Sequence, residues 1–270
     1  MFRGRKDMIE IKTEAEIAKM REAGLVVGKT LELLRAAVEP GISTGELDVL
    51  AEKHIRDSRA VPSFKGYHGF PASICTSINN EIVHGIPSPD RTVKAGDVIS
   101  LDCGAIVDGW HGDAAITIGV GEIAPELQTM LRVCEEALWR GIGAATLGGR
   151  LTDISSAVET YIRSQGRYGI VEEYGGHGIG SQMHQDPHLL NYGRPGRGPR
   201  LVKGMALAVE PMINLGSRRT RVLADDWTVV TEDGSYSAHF EHTFTLTEHG
   251  PYVLTALDGG TTRLTTSPPS

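Results

Sequence analysis

Asp102 and Asp113 stand in two strand-like runs, Asp97-Val-Ile-Ser-Leu-Asp102-Cys-Gly104 and Trp110-His-Gly-Asp113-Ala-Ala-Ile-Thr-Ile118, on either side of an Asp108-Gly109 pair. Asp-Gly between apolar runs is the strongest short-range hairpin signal, because a two-residue hairpin turn needs positive φ at its centre. With 108–109 as the turn, Val107 faces Trp110, Asp113 falls opposite Gly104 and Asp102 opposite Ala115. The two carboxylates become diagonal neighbours on one face, roughly 7–8 Å apart at Cα, a gap they can close by reaching toward a shared pair of cations. Gly104 leaves room beside them. The plainer reading puts both aspartates on a solvated face. Against it, Ile99, Leu101, Ile106, Ala115, Ile116 and Ile118 make the hairpin apolar enough to be buried, and a buried carboxylate without a cationic partner is costly.

Other residues of ligand type follow. His177 sits in Tyr174-Gly-Gly-His177-Gly-Ile-Gly180, where the glycines remove bulk and permit unusual backbone angles, so that a ligand can approach the imidazole. A core histidine or a phosphate-binding turn would look the same locally. Glu210 ends the apolar run Met205-Ala-Leu-Ala-Val-Glu210-Pro211, and Glu241 lies in the strand-like Ala238-His-Phe-Glu241-His-Thr-Phe-Thr-Leu246. Either glutamate alone could be an ordinary salt-bridge partner. Four carboxylates and one imidazole on interior strands carry a charge matched by two divalent cations, the donor set of a hydrolytic centre.

The elements that must position these groups are helices in pairs, each pair followed by Val/Ile-rich strands. Thr13 and Glu16 have capping-box spacing, and Ile17, Met20, Val27, Leu31 and Leu34 recur at helical steps until Pro40-Gly41. A second helix is expected from near Thr44, with Leu47, Leu50, Ala51 and Ile55 inward. The grammar repeats with a helix from Pro125 to about Arg140, the breaker Gly148-Gly149, and a helix from Thr152 to about Arg163. Two α+β halves built alike follow from this repetition.

The bulk properties bound the function. The 270 residues carry 27 Lys plus Arg against 34 Asp plus Glu, a net charge of -7, which disfavours DNA or RNA as partner because phosphate binding needs clustered cations. Cys75, Cys103 and Cys134 form no C-x-x-C pair, so reduced cytoplasm is the expected setting. No apolar run reaches the length of about 18 residues that a membrane span needs, and the start Met-Phe-Arg-Gly-Arg-Lys-Asp does not read as a signal peptide. Neither a membrane nor a secreted form is expected.

The order Asp, Asp, His, Glu, Glu, in the contexts D-C-G…H-G-D, G-H-G-I-G, V-E-P-M and F-E-H-T, resembles the methionine aminopeptidases from about Thr13 to Leu254. The short stretch between Glu210 and Glu241 resembles the bacterial type I enzymes. The resemblance implies the pita-bread α+β fold, two pseudo-symmetric halves with an antiparallel sheet and flanking helices. It implies an enzyme that removes the initiator methionine of nascent polypeptides with a small second residue, by attack of a metal-bridging water on the first peptide bond. It further implies two divalent ions (Co, Mn, Fe, Zn or Ni), with Asp113 and Glu241 bridging them, Asp102 on one, and His177 with Glu210 on the other. Glu210 doubles as general base. His84 and His184 match the histidines that contact substrate and stabilise the tetrahedral intermediate. Tyr67, Phe70, Cys75 and Trp227 match the methionine pocket, whose aromatic walls and sulfur suit a thioether. Met183 departs from the aromatic residue common before the substrate histidine, which bears on pocket shape. His239 stands where glutamine is common, a change that leaves the five ligands intact. The expected organisation is an extension over 1–12, the metallopeptidase domain over 13–253 and a disordered tail over 254–270, in a monomer.

Three other readings compete. Prolidase and aminopeptidase P share the fold and ligands but carry an extra N-terminal domain for which this chain has no room, and non-catalytic relatives lack ligands that are all present here. Gly119-Val-Gly121-Glu-Ile-Ala124 imitates a dinucleotide fingerprint, yet Trp139 to Gly149 lacks the acidic residue that should follow. Arg194, Arg197 and Arg200 read as a solvated loop before they read as a ribosome contact.

Overall fold

The computed structural model describes residues 9–266. Helix α1 (Glu14–Ala37) opens on the expected capping box: the Glu16 amide donates to the Thr13 hydroxyl and the Thr13 amide to the Glu16 carboxylate. Two donors that a helix start would otherwise leave bare are thereby satisfied. Helix α2 (Thr44–Asp57) begins in the same way from Ser43 and Glu46. Helix α3 (Pro125–Gly143) has proline in its first turn, where a missing N–H costs nothing, and α4 spans Leu151–Gln165. All four agree with the helices read from the sequence, apart from small differences at their ends.

A nine-stranded sheet joins the two helix pairs. Its strands are β1 (Val61–Pro62), β2 (Ile74–Ile78), β3 (Val98–Val107), β4 (Trp110–Gly119), β5 (Gly176–Gly178), β6 (Gln185–Leu189), β7 (Ala206–Val209), β8 (Glu241–Thr247) and β9 (Gly250–Val253). Their order is β1-β3-β4-β8-β7-β5-β6, with β2 beside β3 and β9 beside β8. Every pairing is antiparallel.

Register decides which side chains share a face, since alternate residues of a strand point to opposite sides. Asp108 and Gly109 both have positive φ, and the β3–β4 ladder pairs Val107 with Trp110, Gly104 with Asp113 and Asp102 with Ala115, as the turn required. Leu101, Cys103 and Ala105 of β3 pack with Val27, Leu31 and Leu34 of α1 and with Leu47, Ala51 and Ile55 of α2. Asp102 therefore looks away from those helices. In the second half, Leu207 and Val209 of β7 and Phe244 of β8 pack with Met130, Leu138, Ile154 and Val158 of α3 and α4. The intervening Ala208 and Thr243 turn to the same side as Asp102.

Both chain ends, as far as they are described, pack on the domain. Residues 9–12 dock on the domain: Lys12 is 6% exposed, and its ammonium donates to the Glu10 carbonyl and the Gln185 side chain. The remainder of the expected extension, 1–8, lies outside the described residues. The disorder expected from 254 is not found through 266. Leu254 is fully buried, the Arg21 guanidinium donates to the carbonyls of Val253, Leu254 and Ala256, and Thr261–Thr266 forms helix α5. A segment held by its main-chain carbonyls has no need of apolar periodicity, which is why composition misread it. Residues 267–270 lie outside the described residues.

Candidate metal centre and substrate cavity

Three neighbouring strands carry most of the donors. Cys75, Asp102, Ala115 and Glu241 form one row across β2, β3, β4 and β8, so their side chains share a face. Asp113 lies two residues from Ala115, and Thr243 two residues from Glu241, on that same face. The Thr243 hydroxyl ties them together, accepting from the Asp113 amide at 3.1 Å and donating to its carbonyl at 2.8 Å. A second row, Thr243–Ala208–His177, crosses β8, β7 and β5, and Glu210 follows two residues after Ala208. Antiparallel register thus brings together all the carboxylates and the imidazole expected from the sequence.

The distances are those of groups arranged around something. His177 Nε2 lies 3.6 Å from Glu210 Oε1 and 4.0 Å from Glu241 Oε1. Its Nδ1 is 3.0 Å from the Gly178 carbonyl; a carbonyl can only accept, so Nδ1 carries the proton and the Nε2 lone pair faces the carboxylates. Donor atoms of Asp113, His177 and Glu241 lie within 4.8 Å of one another, as do those of Glu210, His239 and Glu241. Asp102 Oδ1, Asp113 Oδ1, Glu241 Oε1 and both ring nitrogens of His239 are buried without a hydrogen-bond partner. Orphaned buried polar atoms are costly, and oxygen-rich donors with imidazole are the chemistry that divalent transition ions accept. The residues fit a metal centre.

Electrostatics agree. Burial pushes Asp102 up to about 7, with the Glu210 charge adding to the rise and His239 opposing it. Burial alone pushes Glu210 up to about 8. Asp113 and Glu241 rise well above the ordinary carboxylate range, through burial first and then mutual repulsion. Four carboxylates this close cannot all ionise without cations. His177 falls to about 3 through burial and the neighbouring His184, which keeps it the neutral imidazole that metal binding requires.

The centre forms the floor of a cavity of about 410 Å³. Phe64, Tyr67, Phe70, Cys75, Met183 and Trp227 line its apolar end and form one cluster, with the Phe70 and Trp227 rings edge to face at 5.1 Å. His84 and His184 also line the cavity, and the His184 ring lies 4.4 Å from that of His177 and 5.4 Å from that of Tyr67. Tyr67 Oη is 2.8 Å from His184 Nδ1. His84, at φ 61, holds a left-handed backbone conformation that is uncommon outside glycine and often found at functional sites. Burial lowers it to about 4, helped by His239 and His184, and burial lowers His184 too.

Each site residue expected from the sequence lines this cavity. Two reasons given for the glycines change. Those at 176 and 178 serve strand packing: a Cβ there would meet the Ala208 or Asp186 carbonyl oxygen at 2.2 Å, and neither has positive φ. The room beside Gly104 is filled, because a Cβ there would meet Phe64 Cε1 at 2.8 Å. Phe64, which sequence reading missed, thus reaches the cavity through a position where only glycine fits. His68 also lines it, and no sequence signal marked it.

The profile described as Metallopeptidase family M24 matches residues 18–248. The chain belongs to this metallopeptidase family. Its similarity within the family runs to methionine aminopeptidases. That of Clostridium acetobutylicum is 53% identical over 248 residues, which are 92% of this chain and 99% of the relative. Methionine aminopeptidase 1 of Mycobacterium tuberculosis is 52% identical, over 94% of this chain and 97% of the relative. The crystal structure of the Thermotoga maritima methionine aminopeptidase superposes with a TM-score of 0.91 at 42% identity, over 92% of this chain and all of that one, so the pita-bread fold holds. Prolidase from Pyrococcus furiosus, at 22% identity and a TM-score of 0.71, shares the fold alone, and this chain covers 65% of it.

Proposed function

We propose that this enzyme removes the initiator methionine from nascent proteins and peptides whose second residue is small, acting as a monomer in the cytoplasm. The observation that carries the reading is one cavity whose lining joins Asp102, Asp113 and Glu241, each with a buried unpartnered oxygen, and the His177 imidazole to an apolar recess. Three free cysteines suit a reducing compartment. Among the described residues no helix is long and apolar enough to cross a membrane.

Asp113 and Glu241 would hold two divalent ions between them, Asp102 would complete one site, and His177 with Glu210 the other. Bound there, such ions polarise the scissile carbonyl and bring the pKa of water toward neutrality. The remaining work belongs to side chains. Glu210, which the resemblance casts as general base, accepts the proton of the attacking water and returns it to the leaving amine. His84 and His184, held neutral by burial, can each donate an N–H hydrogen bond to the substrate as negative charge develops on its carbonyl oxygen. Burial and the Asp113 charge raise Tyr67, so its hydroxyl stays protonated; in the His184 tautomer whose Nδ1 accepts from that hydroxyl, Nε2–H is left for the cavity. Tyr67, Phe70, Cys75, Met183 and Trp227, with Phe64, enclose an unbranched side chain and offer no partner for a charge.

The test is a matched series of peptides at one metal concentration. Met-Ala and Met-Gly starts should be cleaved, Lys-Ala and Met-Phe starts should not, and exhaustive chelation should abolish turnover. Comparable cleavage of Lys-Ala and Met-Ala would make this a general aminopeptidase, and full turnover by verified metal-free protein would remove the metal mechanism.

A further inference from the structure

His239 ends the strand Ser237–His239 next to the centre and is 1% exposed. Its main chain is pinned from both sides by Thr117, whose hydroxyl accepts from the His239 amide at 2.9 Å and donates to the His239 carbonyl at 2.7 Å. The backbone that carries the ring is therefore fixed, yet neither ring nitrogen has a hydrogen-bond partner. Its Nε2 lies 3.4 Å from Glu210 Oε2, while His177 Nε2 faces the other oxygen of the same carboxylate at 3.6 Å. Glu210 is thus flanked by two imidazoles.

We infer that His239 is a further metal ligand, binding through Nε2 a divalent ion that it shares with Glu210 and Glu241. The inference rests on the metal-centre reading above and deepens it. Ligand atoms about 2.0–2.2 Å from one ion can be at most about 4.4 Å apart, and the donor atoms of Glu210, His239 and Glu241 already lie within 4.8 Å of one another, so small side-chain movements close the set. The alternative, a hydrogen bond from neutral His239 to Glu210, fits less well, because an N–H donor to a carboxylate normally sits at about 2.7–2.9 Å. Nδ1 lacks a partner in both arrangements and does not discriminate between them. An imidazole added to a carboxylate centre should favour cobalt, nickel and zinc over manganese, which oxygen donors suit.

The experiment titrates the chelator-stripped full chain and its His239→Gln variant with Co(II) and with Mn(II) by calorimetry, with thermal unfolding as the check that the variant folds. Glutamine keeps most of the volume and removes the ring nitrogen. Loss of a residue that merely supports a ligand already costs about tenfold to a hundredfold in metal affinity, so Co(II) affinity should fall at least tenfold and the preference for Co(II) over Mn(II) should shrink. Proton NMR of the Co(II)-loaded wild-type chain provides the second readout, independent of whether the variant folds. Two hyperfine-shifted, solvent-exchangeable imidazole N–H signals are expected, one from His177 and one from His239. One such signal overturns the inference whatever the titrations give, and leaves the metal-centre reading intact. Failure of the wild-type chain to bind any of these ions overturns both.

Discussion

At the floor of the cavity, Asp102, Asp113 and Glu241 bury oxygens that touch no donor, on strands whose register forces them onto one face. A few ångströms away, Phe64, Phe70, Cys75 and Met183 pack as an ordinary apolar cluster, partly on segments outside the regular strands. The first region is unfavourable without a cation, because like charges crowd together away from water. The second is favourable by itself, as any buried apolar cluster is. Catalytic power is thus concentrated where the fold is electrostatically strained, and substrate choice where it is relaxed. Changes at the floor should therefore alter metal, stability and rate together, whereas changes at the apolar end should alter only which side chain enters.

The largest expected effect comes from Asp113→Asn or Glu241→Gln. Each should lose metal and activity together, by more than about the thousandfold that removal of a transition-state hydrogen-bond donor can cost, with metal analysis and peptide cleavage read on the same sample. Retained stoichiometric metal in either variant would break the contrast between the two ends. His84→Ala should lower kcat by about 10²–10³ while metal content stays at the wild-type level. If this variant emptied the centre and added metal restored cleavage, His84 would belong to the floor.

The pH dependence of stability isolates the floor without mutation. Asp102 and Glu210, raised to about 7 and about 8 from unfolded values of about 4, bind more protons in the folded than in the unfolded state between those limits. Their contribution is present below the unfolded pKa and lost as pH rises through the folded one. His177 and His84, lowered to about 3 and about 4, act in the opposite sense, and only below their unfolded pKa of about 6.5. Between about pH 6.5 and 8 the carboxylates dominate. Chelated protein should therefore lose a few degrees of Tm over this window, at about 2–4 °C per kcal/mol for a chain of this size, and metal-loaded protein should not. A Tm that rises with pH in the chelated protein would contradict the raised carboxylates.

The smallest effect belongs to the apolar end. Norleucine differs from methionine by the sulfur alone, and a sulfur–aromatic contact is worth about 0.3–1.5 kcal/mol. A norleucine-Ala peptide should be cleaved with kcat/KM within about tenfold of Met-Ala. Near-complete rejection would mean that the sulfur is recognised by something other than packing, and would move part of the recess into the charged region.

Much of this arrangement is legible in the residues alone. The Asp108-Gly109 turn and the period of two set the β3–β4 register, so counting outward from the turn is enough to place Asp102 opposite Ala115 and Asp113 opposite Gly104. Capping boxes and apolar spacing locate the four long helices. Such features depend on hydrogen bonds and side-chain periodicity among residues near in sequence. Phe64 beneath Gly104, the Arg21 clamp on residues 253–256 and the approach of His239 to Glu210 depend instead on chain segments distant in sequence. The order of residues along the chain specifies which donors exist, which strands carry them and how each strand alternates. Packing in three dimensions settles that they meet, how far burial shifts their protons and that a histidine with no local signature faces the same carboxylate as His177. Burial and charge proximity are properties of the packed chain, and no local pattern encodes them.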